Sequence, residues 1–277
     1  MLHPKIANLS ATRHILKTFN LRASKKLGQN FLINSEVVEK IVDAAEISEG
    51  EEILEIGPGI GTLTQGLLEA GAKVTAVELD KKLPAVLSQT LAGYENFKLI
   101  QGDILKVDIE ELMQKNFKVV ANLPYYITTQ ILLTLMEKNL PITKIVTMVQ
   151  KEVAERMIAA PNSKIYGAMS VAVQFRADCR IAFDVPPENF LPRPEVTSSV
   201  VVCDIHAPKF KVDEKFFTKV VRAAFGQRRK TLLNSLIGAG FQKNSVINAL
   251  NLAEISPERR AETLNIEEFA KISNFLR

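Results

Sequence analysis

Between residues 50 and 150, short runs of β-branched and aliphatic residues alternate with stretches of helical spacing, a pattern that specifies a parallel sheet with helices on both faces. Strands are expected at Glu52–Ile56, Lys73–Leu79, Phe97–Gln101, Val119–Asn122 and Lys144–Val149. Helices fall near 62–70, 81–91 and 128–138, with Pro84 tolerated in the first turn of the second. Helical stretches at 151–158 and 167–176 follow. Two further strand-like runs, Ile181–Val185 and Ser199–Ile205, suit an antiparallel hairpin at the sheet edge. The stretch between them, from Val185-Pro186-Pro187 to Pro192-Arg193-Pro194, carries too many prolines for regular structure and is expected as a long ordered loop.

From Asp213 onward the strand signal ends. Apolar residues recur at helical spacing in Phe216, Phe217, Val220, Val221 and Ala224, then in Leu232, Leu233 and Leu236. Asp213, Ser245 and Ser256-Pro257 are expected to cap helices there. The chain therefore divides into a domain of residues 1–207 and a small helical domain of residues 208–277. With 277 residues and 47% hydrophobic content it can bury a full core. Its apolar runs, such as Ile131–Leu135, are far shorter than the roughly 20 residues a membrane span needs. The N-terminus lacks the apolar core of a secretory signal, so no membrane and a cytoplasmic location are expected. Cys179 and Cys203 are too few for a disulfide framework or a zinc site, and both are expected as small buried apolar side chains.

The net charge of +4 is unevenly spread. Residues 1–30 hold six Lys or Arg and no acid, and residues 206–277 hold thirteen basic against seven acidic residues, so the part between is acidic overall. Basic ends on an acidic body suit contact with a polyanion, because Lys and Arg that neutralise phosphates gain affinity through counterion release. Solvated surface charge is the alternative.

Glu55-Ile56-Gly57-Pro58-Gly59-Ile60-Gly61-Thr62 follows the first of these strands and opens the first helix. Glycine at such a turn lets backbone approach a ligand at the carboxyl end of a sheet strand. Glu78, 21 residues after Gly57, ends the second strand, where a carboxylate can accept from both hydroxyls of a ribose. A dinucleotide fingerprint wants glycine where Thr62 stands, which disfavours pyrophosphate. Gly102-Asp103 ends the third strand and can receive an adenine amino group. A nucleoside without phosphates fits these three strand ends, and S-adenosylmethionine is one; a tight structural turn at Gly57 is the plainer alternative.

The fourth strand ends in Asn122-Leu123-Pro124-Tyr125. An adenine exocyclic amine is a poor nucleophile because its lone pair is delocalised into the ring. The Asn122 side-chain oxygen and the Leu123 carbonyl can accept its two N–H groups, Pro124 biases Leu123 to extended geometry, and Tyr125 offers a face for the base. Such a centre needs positioning and no strong base. Phe190 is a candidate for the other face of the base; a core phenylalanine anchoring the loop is the alternative.

These residues together resemble the ribosomal RNA adenine dimethyltransferases, in particular the bacterial dimethyladenosine transferases that modify small-subunit RNA. The likeness covers nearly the whole chain and is carried by Leu27-Gly28-Gln29-Asn30-Phe31-Leu32, Glu55 to Gly61, Val77-Glu78, Gly102-Asp103, Asn122 to Tyr126, Pro192 to Ser198, and Phe225 to Leu232. It implies a Rossmann-like S-adenosylmethionine methyltransferase fold of the α/β class, a mainly parallel seven-stranded sheet with a small all-helical C-terminal domain. It implies a cofactor pocket lined by Asn30, Leu32, Gly57, Glu78, Asp103 and Asn122, with the Gln29-Asn30-Phe31 stretch folding over the cofactor, and no metal. The resemblance further implies transfer of methyl groups to the N6 amines of two adjacent adenosines in the 3′-terminal hairpin loop of small-subunit (16S) RNA, with Asn122 and Tyr125 presenting the base. Candidate RNA contacts are Lys25, Lys26, Arg222, Arg228, Arg229 and Lys230, the partner a partly assembled 30S particle, and the protein a monomer. Three other readings are a large-subunit RNA adenine methyltransferase of the macrolide-resistance type, a non-catalytic ribosome assembly factor, and a DNA adenine methyltransferase; the last lacks a separate sequence-reading domain.

Overall fold

A computed structural model of the chain describes residues 4–227 and 229–277, apart from the Lys25 side chain. In chain order the elements are α1 (Leu9–Thr18), β1 (Phe31–Leu32), α2 (Ser35–Ala45), β2 (Glu52–Ile56), α3 (Thr62–Glu69), β3 (Lys73–Glu78), α4 (Leu83–Thr90), β4 (Phe97–Gln101), α5 (Ile109–Leu112), β5 (Phe117–Asn122), α6 (Thr128–Glu137) and β6 (Ile142–Gln150). They continue as α7 (Lys151–Ile158), α8 (Ala168–Gln174), β7 (Ala177–Val185), β8 (Phe190–Leu191), β9 (Ser198–Ile205), α9 (Glu214–Phe225), α10 (Leu232–Gly238), α11 (Lys243–Leu252) and α12 (Ile266–Leu276).

The seven-stranded sheet has the order β4-β3-β2-β5-β6-β9-β7. Strands β2 to β6 pair in parallel, and β9 runs antiparallel to β6 from Gln150↔Ser198 to Lys144↔Asp204. Strands β2, β5 and β6 are buried along most of their length, which is why they read in sequence as near-continuous apolar runs. The chain steps outward from β2 through β3 to β4, then returns to place β5 on the other side of β2. The strand order thus reverses between β2 and β5, where the carboxyl ends of an α/β sheet form a crevice.

Helices α2 and α3 pack onto this sheet through Val37, Val38, Ile41, Leu63, Leu67 and Leu68. Their close approach depends on Gly66: a Cβ there would lie 2.5 Å from Val38 Cγ1. Gly→Ala inside a helix ordinarily stabilises by up to about 1 kcal/mol. Here overpacking reverses the sign, and Gly66→Ala is expected to destabilise by about 1–3 kcal/mol in urea unfolding. Adding Val38→Ala should recover part of the loss.

The chain forms two compact units. The first runs up to Ile131 and includes Leu140–Ala154 and Arg180–Ile205; the second comprises Leu132–Asn139, Glu155–Cys179 and His206–Arg277. The second has its own core, with Phe217, Val220, Val221 and Ala224 of α9 against Leu232, Leu236, Val246, Leu250 and Phe269, and with Phe175 stacked on Phe217 at 4.4 Å.

Several local expectations are corrected. Strand β7 starts at Ala177, four residues early, because its alternating residues face the edge of the sheet and give a weaker apolar signal. Asp213 caps α9 by accepting from Phe216 N at 3.0 Å, but Ser245 lies inside α11, and Ser256 holds only a turn by accepting from Glu258 N. Neither Cys179 nor Cys203 is free; both are disulfide-bonded. Among the described residues no helix is long and apolar enough to cross a membrane.

Candidate functional site

At the reversal point the carboxyl ends of β2, β3, β4 and β5 open into a cleft. The β2 end turns through Gly57 and Gly59 at φ +71° and +62°, left-handed values that favour glycine. Glu78, at the end of β3, braces that turn: its Oε2 accepts from Gly59 N at 3.3 Å and its Oε1 from Asp80 N at 2.7 Å. Burial raises the Glu78 pKa, and those backbone bonds oppose the rise. Asp103, beyond β4, accepts from Leu105 N through Oδ1 at 3.1 Å.

The segment before β1 is pinned in place. Gln29 Oε1 accepts from Ser24 N at 2.8 Å and Gln29 Nε2 donates to Asp80 Oδ2 at 2.9 Å. Asn122 Nδ2 in turn donates to the Asn30 carbonyl at 3.3 Å. That bond spends the amide donor on backbone and turns Oδ1, an acceptor, the other way. After Asn122 the chain bends at Pro124, whose carbonyl accepts from Ile127 N and Thr128 Oγ1. Tyr125 is half-buried, with Oη 2.6 Å from Ser198 Oγ. Tyr126 is 53% exposed at the mouth, beside Gly28, and its phenol pKa is raised by burial and by the Asp103 and Glu78 carboxylates.

Asn30, Leu32, Gly57, Glu78, Asp103, Asn122, Leu123, Pro124 and Tyr125 therefore all line one cleft. Phe190 is not among the lining residues. It is 1% exposed in the core, because the two-residue β8 pairs with β1 and turns Phe190 inward opposite Leu32. Of the candidate RNA contacts, Lys26 is exposed on the first unit, and Arg222, Arg229 and Lys230 are exposed on the second. Arg222 is ion-paired with Glu137. Arg228 and the Lys25 side chain lie outside the described residues.

One cleft residue to which no role was assigned from sequence is Glu55. It is buried, its Oε2 has no hydrogen-bond partner, and burial pushes its pKa to about 8, the Glu78 charge adding and the Thr64 hydroxyl opposing. The signal for it was a charged residue inside a strand otherwise apolar on both faces.

The described lining holds three carboxyl groups and no Lys, Arg or His. That set of groups rejects a polyphosphate and suits a nucleoside carrying positive charge, while the backbone turn remains for its neutral and anionic parts. S-adenosylmethionine, with its sulfonium and ammonium groups, fits this chemistry.

The family described as ribosomal RNA adenine dimethylase matches residues 20–277. Ribosomal RNA small subunit methyltransferase A of Clostridioides difficile is 46% identical over 281 residues, covering 98% of this chain and 97% of the relative. The protein of the same description from Bacillus pumilus is 44% identical over 287 residues, covering 99% and 98%. Among solved structures, a dimethyladenosine transferase from Plasmodium falciparum is 25% identical with a TM-score of 0.72, covering 87% of this chain and 95% of that one. The 23S rRNA methyltransferase ErmE shares the fold at 23% identity and a TM-score of 0.66, covering 89% and 99%.

Proposed function

The chain belongs to the ribosomal RNA adenine dimethylase family, and from that premise we propose that its cleft holds S-adenosylmethionine while Asn122 to Tyr125 present an adenine of small-subunit ribosomal RNA. The protein is a ribosomal RNA adenine dimethyltransferase. Its substrate is adenine in small-subunit RNA, since relatives so described match along nearly the full chain at 44–46% identity, whereas the large-subunit enzyme shares only the fold. The products are two adjacent N6-dimethyladenosines in the 3′-terminal hairpin loop of 16S RNA, formed on a partly assembled 30S particle by a cytoplasmic monomer that takes part in small-subunit biogenesis.

The observation that carries this reading is the Asn122 amide, anchored by Nδ2 to Asn30 so that Oδ1 is left to accept. S-adenosylmethionine, when bound, supplies a sulfonium methyl as electrophile. Asn122 Oδ1 and the Leu123 carbonyl accept the two N–H groups of the amine, draw its lone pair out of conjugation and aim it at the methyl carbon. Transfer of that methyl would leave the positive charge on the amine, which would release its proton to water. Glu78 binds ribose hydroxyls, Asp103 the cofactor's adenine amine, and Asn30, Leu32 and Gly57 complete the pocket. Lys25, Lys26, Arg222, Arg228, Arg229 and Lys230 neutralise RNA phosphates, the last four from a helical docking domain of residues 208–277.

Mass spectrometry of small-subunit RNA after incubation with the protein and S-adenosylmethionine is expected to show a gain of four methyl groups on two neighbouring adenosines. Methylation confined to large-subunit RNA would overturn the substrate, and RNA binding without any transfer would favour the assembly-factor reading.

A further inference from the structure

The Tyr125 ring is held at both ends. At its backbone, the turn after β5 is fixed by Leu123 N donating to the Met148 carbonyl at 3.1 Å and by the two bonds onto the Pro124 carbonyl. At its far end, Oη meets Ser198 Oγ at 2.6 Å across 73 residues of sequence. Ser198 is fully buried at the first position of β9, in register with Gln150 of β6, and the Thr197 carbonyl beside it accepts from Lys151 N at 3.0 Å. This serine therefore stands on the central sheet, with no freedom of its own. A hydroxyl at a fully buried position is unfavourable unless it is hydrogen-bonded, and an alanine would serve packing alone. Its side-chain partner is the tyrosine at the cleft.

We propose that Ser198 is a positioning residue for methyl transfer: it tethers the Tyr125 phenol to the sheet so that the ring stands fixed as the stacking face for the target adenine. The proposal rests on the reading of Tyr125 as that face. Because Oη lies on the ring's own axis, the tether fixes where the ring stands and leaves its plane to the neighbouring packing. Displacing a stacking surface by about 1 Å is enough to lower a rate by up to about 10²-fold.

The test compares Ser198→Ala, Tyr125→Phe, the double variant and Tyr125→Ala, each assayed for single-turnover methyl transfer, for S-adenosylmethionine affinity, and for quenching of 2-aminopurine placed at the target position of the RNA hairpin. Ser198→Ala and Tyr125→Phe are each expected to slow transfer about 10-fold or more. Cofactor affinity should stay within about 2-fold, quenching should weaken, and the double variant should be no slower than the worse single, the mark of one shared interaction. Tyr125→Ala should abolish quenching. If it does not, Tyr125 is not the stacking face and the proposal falls with that reading. If Tyr125→Ala abolishes quenching but the two single losses multiply, or neither variant slows transfer, the tether has no positioning role. Loss of cofactor affinity in Ser198→Ala would mark a merely structural serine and overturn the proposal. Should that variant fail to fold, Tyr125→Phe, which opens no cavity in the sheet, decides by its rate and quenching.

Discussion

Replacing Asn122 by alanine is expected to slow methyl transfer by about 10²- to 10³-fold or more, the range found when one fixed polar group at a reacting centre is removed. Two effects combine. The variant loses the side-chain oxygen proposed to accept from the amine, and it loses the 3.3 Å bond to the Asn30 carbonyl that ties the Gln29-Asn30-Phe31 stretch to the end of β5. Cofactor affinity should therefore weaken by a few fold, while RNA affinity stays within a few fold because the proposed phosphate contacts are elsewhere on the chain. Asn122→Asp separates the two effects. It keeps an acceptor but replaces the Nδ2 donor with an oxygen facing the Asn30 carbonyl, and it adds a charge beside Glu78 and Asp103. It should be nearly as slow as alanine, with filter binding to RNA again little changed. An active Asn122→Ala variant would remove the amide from the chemistry.

How far the sequence reaches is seen in what gathers at the cleft. Gly57, Glu78 and Asn122 stand at the ends of parallel strands that are buried along most of their length and stand out against their helices, while Asp103 lies beyond the edge strand β4, which is marked only by a short apolar run. A strand end is a local property. Phe190 was not legible in the same way, since whether it faces the cleft or the core is decided by a two-residue pairing of β8 with β1, some 160 residues earlier. The Tyr125–Ser198 bond and the hold of Gln29 on Asp80 are long-range in the same sense, and neither has a sequence pattern of its own. Helix α2 does have a pattern of its own, with Val37, Val38, Ile41 and Ala45 at helical spacing behind Asn34, whose side-chain oxygen accepts from Glu36 N. Packing details such as Gly66 against Val38 follow only from two helices meeting.

Unfolding of the cofactor-free protein should reveal Glu55 through its dependence on pH. Its pKa of about 8 in the fold, against 4.5 for an unperturbed glutamate, means that between those values the native chain keeps a proton which the unfolded chain has released. Stability from this group is complete below about pH 4.5 and is lost as pH rises towards 8. The shift corresponds to an upper limit of about 4–5 kcal/mol, and a few kcal/mol is the realistic expectation. Glu55→Gln removes the titration while keeping shape. Its amide would also be buried beside Thr64, which leaves a roughly constant penalty of about 1–3 kcal/mol at every pH. At pH 5 the variant should therefore melt at or below the wild-type temperature, and by pH 8 it should melt above it, the difference moving by about 5–10 °C across the window. A difference that stays flat from pH 5 to pH 8 would mean that Glu55 is ionised throughout, held by a cation or by water inside the cleft.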